Sequence, residues 1–351
     1  MAVTDPPRLT LAGITAWNPP DRGIRSATAE EIRAGLTADV YFVGSLEVLD
    51  HLGRADTAVT AEVFANRPGL LAGIEEVVAL LAPLDVEVWA APEGTPVTAH
   101  QVVLRVTGPY RRFGLYETAI LGILASSSGW ATAAREVVEA ADGVPVISFG
   151  ARHVHPAVAS VLDRAALVGG ARGASSILGA RQAGQIPAGT MPHALMLIAG
   201  DTLTVAEAFD RVMPPEVVRT VLVDTFHDEA EEALRVAGRL GTHLQAIRLD
   251  TPRERGGVTP GLVRELKARL TQAGFPDVGI FVSGGLDPER VRALREAGAT
   301  GFGVGTYIAG ARPLDMTMDV KAVEGRPVAK RGRIPGITPT PGLVRRLPPP
   351  S

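Results

Sequence analysis

Two glycine turns that follow apolar stretches offer the most specific chemistry in this chain: Val282-Ser283-Gly284-Gly285-Leu286-Asp287 and Gly301-Phe302-Gly303-Val304-Gly305-Thr306. Glycines after a buried strand permit a tight turn and let backbone N–H groups approach phosphate oxygens, and a helix starting near Asp287 adds its positive end. The second turn adds a wall and the Thr306 hydroxyl. Ser283, Gly284, Gly285, Gly303, Gly305 and Thr306 are thus the expected phosphate grip, against the plainer alternative of a glycine-rich rim that binds nothing. Neither turn is a GxxxxGK[ST] loop, and GFGVG does not follow the GxGxxG dinucleotide pattern.

Asp224 and Asp250 end the runs VLVD and IRLD. Carboxylates there suit Mg²⁺ or ribose hydroxyls; the alternative is an Asx turn or helix cap, with Asp224 serving HDEAEEAL. SFGARHVHP gathers Arg152, His153 and His155, of which Arg152 can grip a carboxylate in bidentate fashion. A histidine metal triad would have to recruit His193 or His227 from far along the chain, and a surface Arg–His cluster is the simpler reading. In GTMPHALML, Thr190 is a cap candidate and His193 stands at a helix start. Ser126-Ser127-Ser128-Gly129 is not GxSxG, which argues against a serine hydrolase.

These residues need a scaffold. Short apolar runs (PVISFG, RTVLVDTF, LQAIRLD, VGIFVSGG, TGFGVGTYI) alternate with amphipathic helical patterns, the signature of a parallel sheet with helical crossovers. Six or seven such units are expected, with the chemistry at the C-terminal ends of the strands. Asp287-Pro288-Glu289 is a helix start with cap, proline and acid in order. Upstream, residues 1–24 read as an irregular arm and Ala29–Ala34 as a short helix. DVYFVGSLEVL reads as a strand and its following element, and VEVWAAPEGTPVTAHQVVLRVTGPY as antiparallel strands about a PEGT turn. The texture changes near Phe113, where one or two apolar helices run to Gly143. The expected division is 1–112, 113–310 and a proline-rich segment 311–351 that returns to the first module.

Composition narrows the function classes. The 351 residues are 46% hydrophobic and 21% charged, with a formal charge of −3; this fits a folded chain and argues against general nucleic-acid binding. The absence of cysteine excludes disulfides, a cysteine nucleophile and thiolate metal sites. No secretory start or membrane-spanning run is evident, so a soluble, cytoplasmic protein is expected.

The runs IRAGLTADVYF, YETAILGILASSSGWAT, ISFGARHVHPA, GGARGASS, IPAGTMPHALMLIAGD, VLVDTF, IRLDT and VSGGLD…GFGVGT together resemble the nicotinate phosphoribosyltransferase family, in its shorter archaeal and bacterial branch, in order over most of residues 32–306. The resemblance implies an N-terminal α/β sandwich plus a truncated α/β barrel, the quinolinate phosphoribosyltransferase-like fold. It implies transfer of phosphoribosyl from phosphoribosyl pyrophosphate to nicotinate with Mg²⁺, coupled to ATP through phosphorylation of His193, in a homodimer. Tyr41 would stack on the pyridine ring. Arg152, with His153 beside it, would face the nicotinate carboxylate or the donor, Asp224 and Asp250 would hold ribose hydroxyls or metal, and the glycine turns would hold the 5′-phosphate. The family often carries FGxRR where this chain has Arg152-His153. The alternatives are nicotinamide or quinolinate as the base, or a non-catalytic phosphoribosyl-metabolite binder. Quinolinate, with two carboxylates, should demand more positive charge than Arg152 alone.

Overall fold

The computed structural model describes residues 9–17, 23 and 25–350. They fall into two compact units, one ending at Gly129 and resuming at Arg312, the other Trp130–Ala311. The expected break at 112/113 coincides instead with the approach to one helix, Glu117–Ala141. Its first half supplies Ile120 and Leu124 to one hydrophobic core, and its second half supplies Ala134 and Val137 to the other. A change of texture there marks a helix start, while the division falls inside the helix.

The first unit is built on an antiparallel sheet in the order Arg326–Pro327, Met316–Val323, Ala58–Ala65, Val102–Pro109, Glu87–Ala90, Val344–Leu347. Val63, Val88, Leu104 and Val106 from its strands pack with Ile74, Val77 and Leu81 of the helix Ile74–Leu81. Three local expectations change. DVYFVGSLEVL lies in a helix, Val40–His51, because Phe42, Val43 and Leu46 share one helical face that packs with Leu115. The PEGT turn forms, but Pro96–Val97 pairs with Gly69–Leu70, and Glu87–Ala90 pairs with Val102–Pro109 instead. Within the expected irregular arm, Thr10 caps a helix at Leu11–Ala16; residues 1–8, 18–22 and 24 lie outside the described residues.

The second unit carries the parallel strands β1 (Val146–Ser148), β2 (Gly173–Ala174), β3 (Thr220–Leu222), β4 (Ala246–Leu249), β5 (Gly279–Ser283) and β6 (Gly301–Val304). Their order is β2-β1-β6-β5-β4-β3, so six strands curl in barrel sequence without β2 and β3 pairing. Val221, Ile247, Ile280, Val282 and Phe302 fill the core against Val236, Leu266 and Leu294 from the crossover helices. Asp287 caps the helix Pro288–Glu296 by accepting the Arg290 N–H at 2.8 Å. The parallel sheet puts the ends of β1, β3, β4, β5 and β6 at one rim. Among the described residues, no helix is long and apolar enough to cross a membrane.

Candidate active site

Alternation along a strand places residues two apart on the same face, so β4 turns both Arg248 and Asp250 the same way. Asp250 Oδ2 accepts from Arg248 Nη2 at 3.0 Å, and Asp250 Oδ1 accepts from the Ser283 hydroxyl at 2.8 Å. Arg248 also donates to Ser283 Oγ (2.9 Å) and Thr190 Oγ1 (2.8 Å), and its guanidinium lies 5.4 Å from the Phe149 ring centroid. Thr190 is therefore a partner of Arg248, and the helix His193–Ala199 is entered through Pro192.

Asp224 accepts the Asp250 backbone N–H on Oδ2 at 2.5 Å. Its other oxygen, Oδ1, is buried without a hydrogen-bond partner, and the side chain is 1% exposed. Burial raises the Asp224 pKa, opposed by the Asp250 N–H and by His193, while the Asp250 charge adds to the rise. The helix start HDEAEEAL is capped by Asp228, which leaves Asp224 to the rim. His193 completes the group: Nδ1 is 3.1 Å from Thr225 Oγ1, and Nε2 is 3.8 Å from both Asp224 Oδ1 and Asp250 Oδ2.

A cavity of 510 Å³ opens over this network, lined by Phe149, Arg152, Ser175, Ser176, His193, Arg248 and Asp250 among others. Arg152 is exposed on the turn Gly150–His153 and has no ion pair among the described residues. Burial lowers the Arg248 pKa, with Asp250 and Asp224 opposing and the neighbouring Arg152 charge adding to the fall. Two guanidinium groups thus face one cavity. In the sequence, IRLD shows its chemistry through the strand-end carboxylate and hides Arg248; an arginine two residues before a strand-end aspartate is the available signal.

The glycine turns make close approaches. Gly284 (φ +96°) and Gly285 (φ +61°) adopt the left-handed region that favours glycine. A Cβ on Gly303 would stand 2.3 Å from Phe149 Cε2, and one on Gly305 2.9 Å from His153 Nε2. The β6 glycines therefore admit Phe149 and His153 against the strand end, and the Ser283 hydroxyl is bound to Asp250 and Arg248. Thr306 is exposed at the start of a short helix. Tyr41 is in the first unit, 60% exposed, with its ring centroid 4.3 Å from that of Phe42. His155 caps the helix Pro156–Val168 through Nδ1, a structural duty. Among the described residues, no three or more His, Asp or Glu side chains are arranged to hold a metal. Ser126 and Ser128 bond to backbone carbonyls, which occupies them structurally.

Family models agree with this architecture. The quinolinate phosphoribosyl transferase N-terminal domain matches residues 39–128, and the C-terminal domain matches residues 130–319. A crystal structure of nicotinate-nucleotide pyrophosphorylase from Pyrococcus furiosus is 44% identical, with a TM-score of 0.85 over 89% of this chain and 81% of that one. The human carboxylating nicotinate-nucleotide pyrophosphorylase is 27% identical over 276 residues, 77% of this chain and 85% of that protein. A Mycobacterium tuberculosis nicotinate phosphoribosyltransferase is 36% identical over 247 residues, 68% of this chain; the match spans 52% of that protein. The sandwich-plus-truncated-barrel expectation stands. The expected nicotinate phosphoribosyltransferase identity does not, because both domain models are those of quinolinate phosphoribosyl transferase and the Pyrococcus structure is of a nicotinate-nucleotide pyrophosphorylase, and nicotinate as substrate and the ATP partnership through His193 fall with it.

Proposed function

The chain belongs to the quinolinate phosphoribosyltransferase family, and on that footing we propose that it transfers phosphoribosyl from phosphoribosyl pyrophosphate to quinolinate. The products are nicotinate mononucleotide, pyrophosphate and CO₂. The observation that carries this reading is the pair Arg152 and Arg248 on one cavity. Arg152 alone offers too little charge for two ring carboxylates; Arg248 adds a second guanidinium to the cavity wall, its charge shared with Asp250 at 3.0 Å.

The ring nitrogen is the nucleophile, so no strong protein base is needed. It attacks C1 of the ribose as the bond to pyrophosphate breaks. The carboxylate beside the nitrogen then leaves as CO₂, its bonding electron pair remains on the ring carbon, and that carbon takes a proton. Arg152 and Arg248 hold the carboxylates and orient the ring, with the Phe149 face beside Arg248. Asp224 and Asp250 accept from ribose hydroxyls, and the Gly285 end of the β5 turn and the Gly303–Thr306 turn receive the 5′-phosphate. The unpartnered Asp224 Oδ1 beside Asp250 fits a hard cation that draws its other ligands from substrate oxygens. Mg²⁺ held by those two carboxylates would neutralise charge on the departing pyrophosphate.

The test is incubation with phosphoribosyl pyrophosphate, Mg²⁺ and quinolinate, without ATP, reading mononucleotide, pyrophosphate and CO₂. Equal amounts of the three products are expected. Product from nicotinate or nicotinamide but none from quinolinate would overturn the reading.

A further inference from the structure

Resting on the phosphoribosyl reading above, we propose that Arg253 anchors the 5′-phosphate and thereby fixes which way round the phosphoribosyl group lies on the β5 turn. The turn is electrically polarised. Where Gly284 would carry a Cβ, Asp250 Oδ1 lies 3.0 Å away; where Gly285 would carry one, Arg253 Nη2 lies 3.2 Å away and its Nε 3.7 Å. An acceptor-only carboxylate thus stands at one residue of the turn and a donor-only cation at the next. A phosphate is repelled by the first and held by the second, and ribose hydroxyls have the opposite preference. One orientation satisfies both ends, with hydroxyls towards Asp250 and phosphate towards Arg253.

Arg253 is free to do this. Its side chain is exposed and makes no hydrogen bond or ion pair among the described residues. The loop that carries it is secured by other groups. Arg255 donates to Glu229 at 3.1 and 3.2 Å, and the Thr251 hydroxyl donates to Glu229 at 3.0 Å. Gly256 (φ +93°) and Gly257 (φ +68°) close the turn behind it. A guanidinium on a braced loop, unneutralised and laid against a glycine turn, offers a planar fork matched to phosphate oxygens.

Binding of nicotinate mononucleotide and of its dephosphorylated nucleoside is measured by calorimetry for the wild type, Arg253→Met and Arg253→Lys. The methionine variant should lose about 10- to 100-fold in mononucleotide affinity, the span of one charge-assisted contact, with nucleoside affinity unchanged. The lysine variant should fall between, and melting temperatures should match. Unchanged mononucleotide affinity, or an equal loss for both ligands, would overturn the role of Arg253 and leave the functional reading intact. A wild type that binds neither ligand would refute the phosphoribosyl reading and this proposal with it.

Discussion

Replacing Arg248 by methionine keeps the length of the side chain and deletes its charge and its donors. The wild-type guanidinium is 13% exposed and faces an Asp250 carboxylate that is 26% exposed. Breaking a buried ion pair from one side costs about 3–5 kcal/mol, because the remaining charge is stranded. Here Asp250 keeps the Ser283 hydroxyl at 2.8 Å and some water, which argues for the lower end. Thr190 and Ser283 each lose a donor at 2.8 and 2.9 Å, adding about 0.5–1.5 kcal/mol apiece. Relief of the guanidinium's own desolvation offsets part of that sum, leaving a net loss of about 3 kcal/mol. Urea unfolding reads the total, and native-state hydrogen exchange should localise the loss to amides of β4 and β5. The double variant Arg248→Met, Asp250→Asn should recover about 2 kcal/mol, since the stranded charge is gone. A single-variant loss below about 1 kcal/mol, or no recovery in the double variant, would refute the reasoning.

Asp224→Asn should abolish turnover yet stabilise the fold near neutral pH, since burial disfavours the native carboxylate. A native pKa raised above the unfolded value contributes stability in acid that is lost as pH rises through it, so the variant's advantage in urea midpoint should be absent at low pH and grow above the ordinary carboxylate range. Glu117 in the first unit is pushed up to about 7, chiefly by burial and then by Asp319, with Lys330 opposing and Asp39 adding. By the same sign, wild-type stability should decline as pH rises from about 4.5 through about 7, and Glu117→Gln should flatten that decline; equal slopes in thermal melts would count against it.

The rim of the second unit is legible because strand ends in a parallel sheet converge, so the sequence alone places Asp224, Asp250, Ser283 and the glycine turns together. His193 joins them at 3.8 Å from two carboxylates, a meeting that its distance along the chain hides. Arg248 and Arg253 were illegible for different reasons. The first sits inside an apolar strand, where charge is read as an edge or an error, and the second acts through the glycine it lies against. In the first unit, aromatic and β-branched residues in Val40–His51 pulled the reading towards a strand, whereas the deciding fact is a tertiary contact with Leu115.

The antiparallel sheet of the first unit draws strands from both ends of the chain, with Met316–Val323 beside Ala58–Ala65 and Val344–Leu347 beside Glu87–Ala90. On a ribosome this reverses the usual order in which the N-terminal portion matures first. The Ala58–Ala65 strand emerges early and waits, one edge unpaired, while every strand of the second unit is synthesised. At about 5–20 residues per second that interval lasts roughly 10–50 s. An open, apolar strand edge displayed for so long is a template for pairing with a neighbouring nascent chain. The vulnerable period of this protein therefore precedes its completion, and its yield in a cell should depend on translation speed and chaperone supply more steeply than its finished stability would suggest.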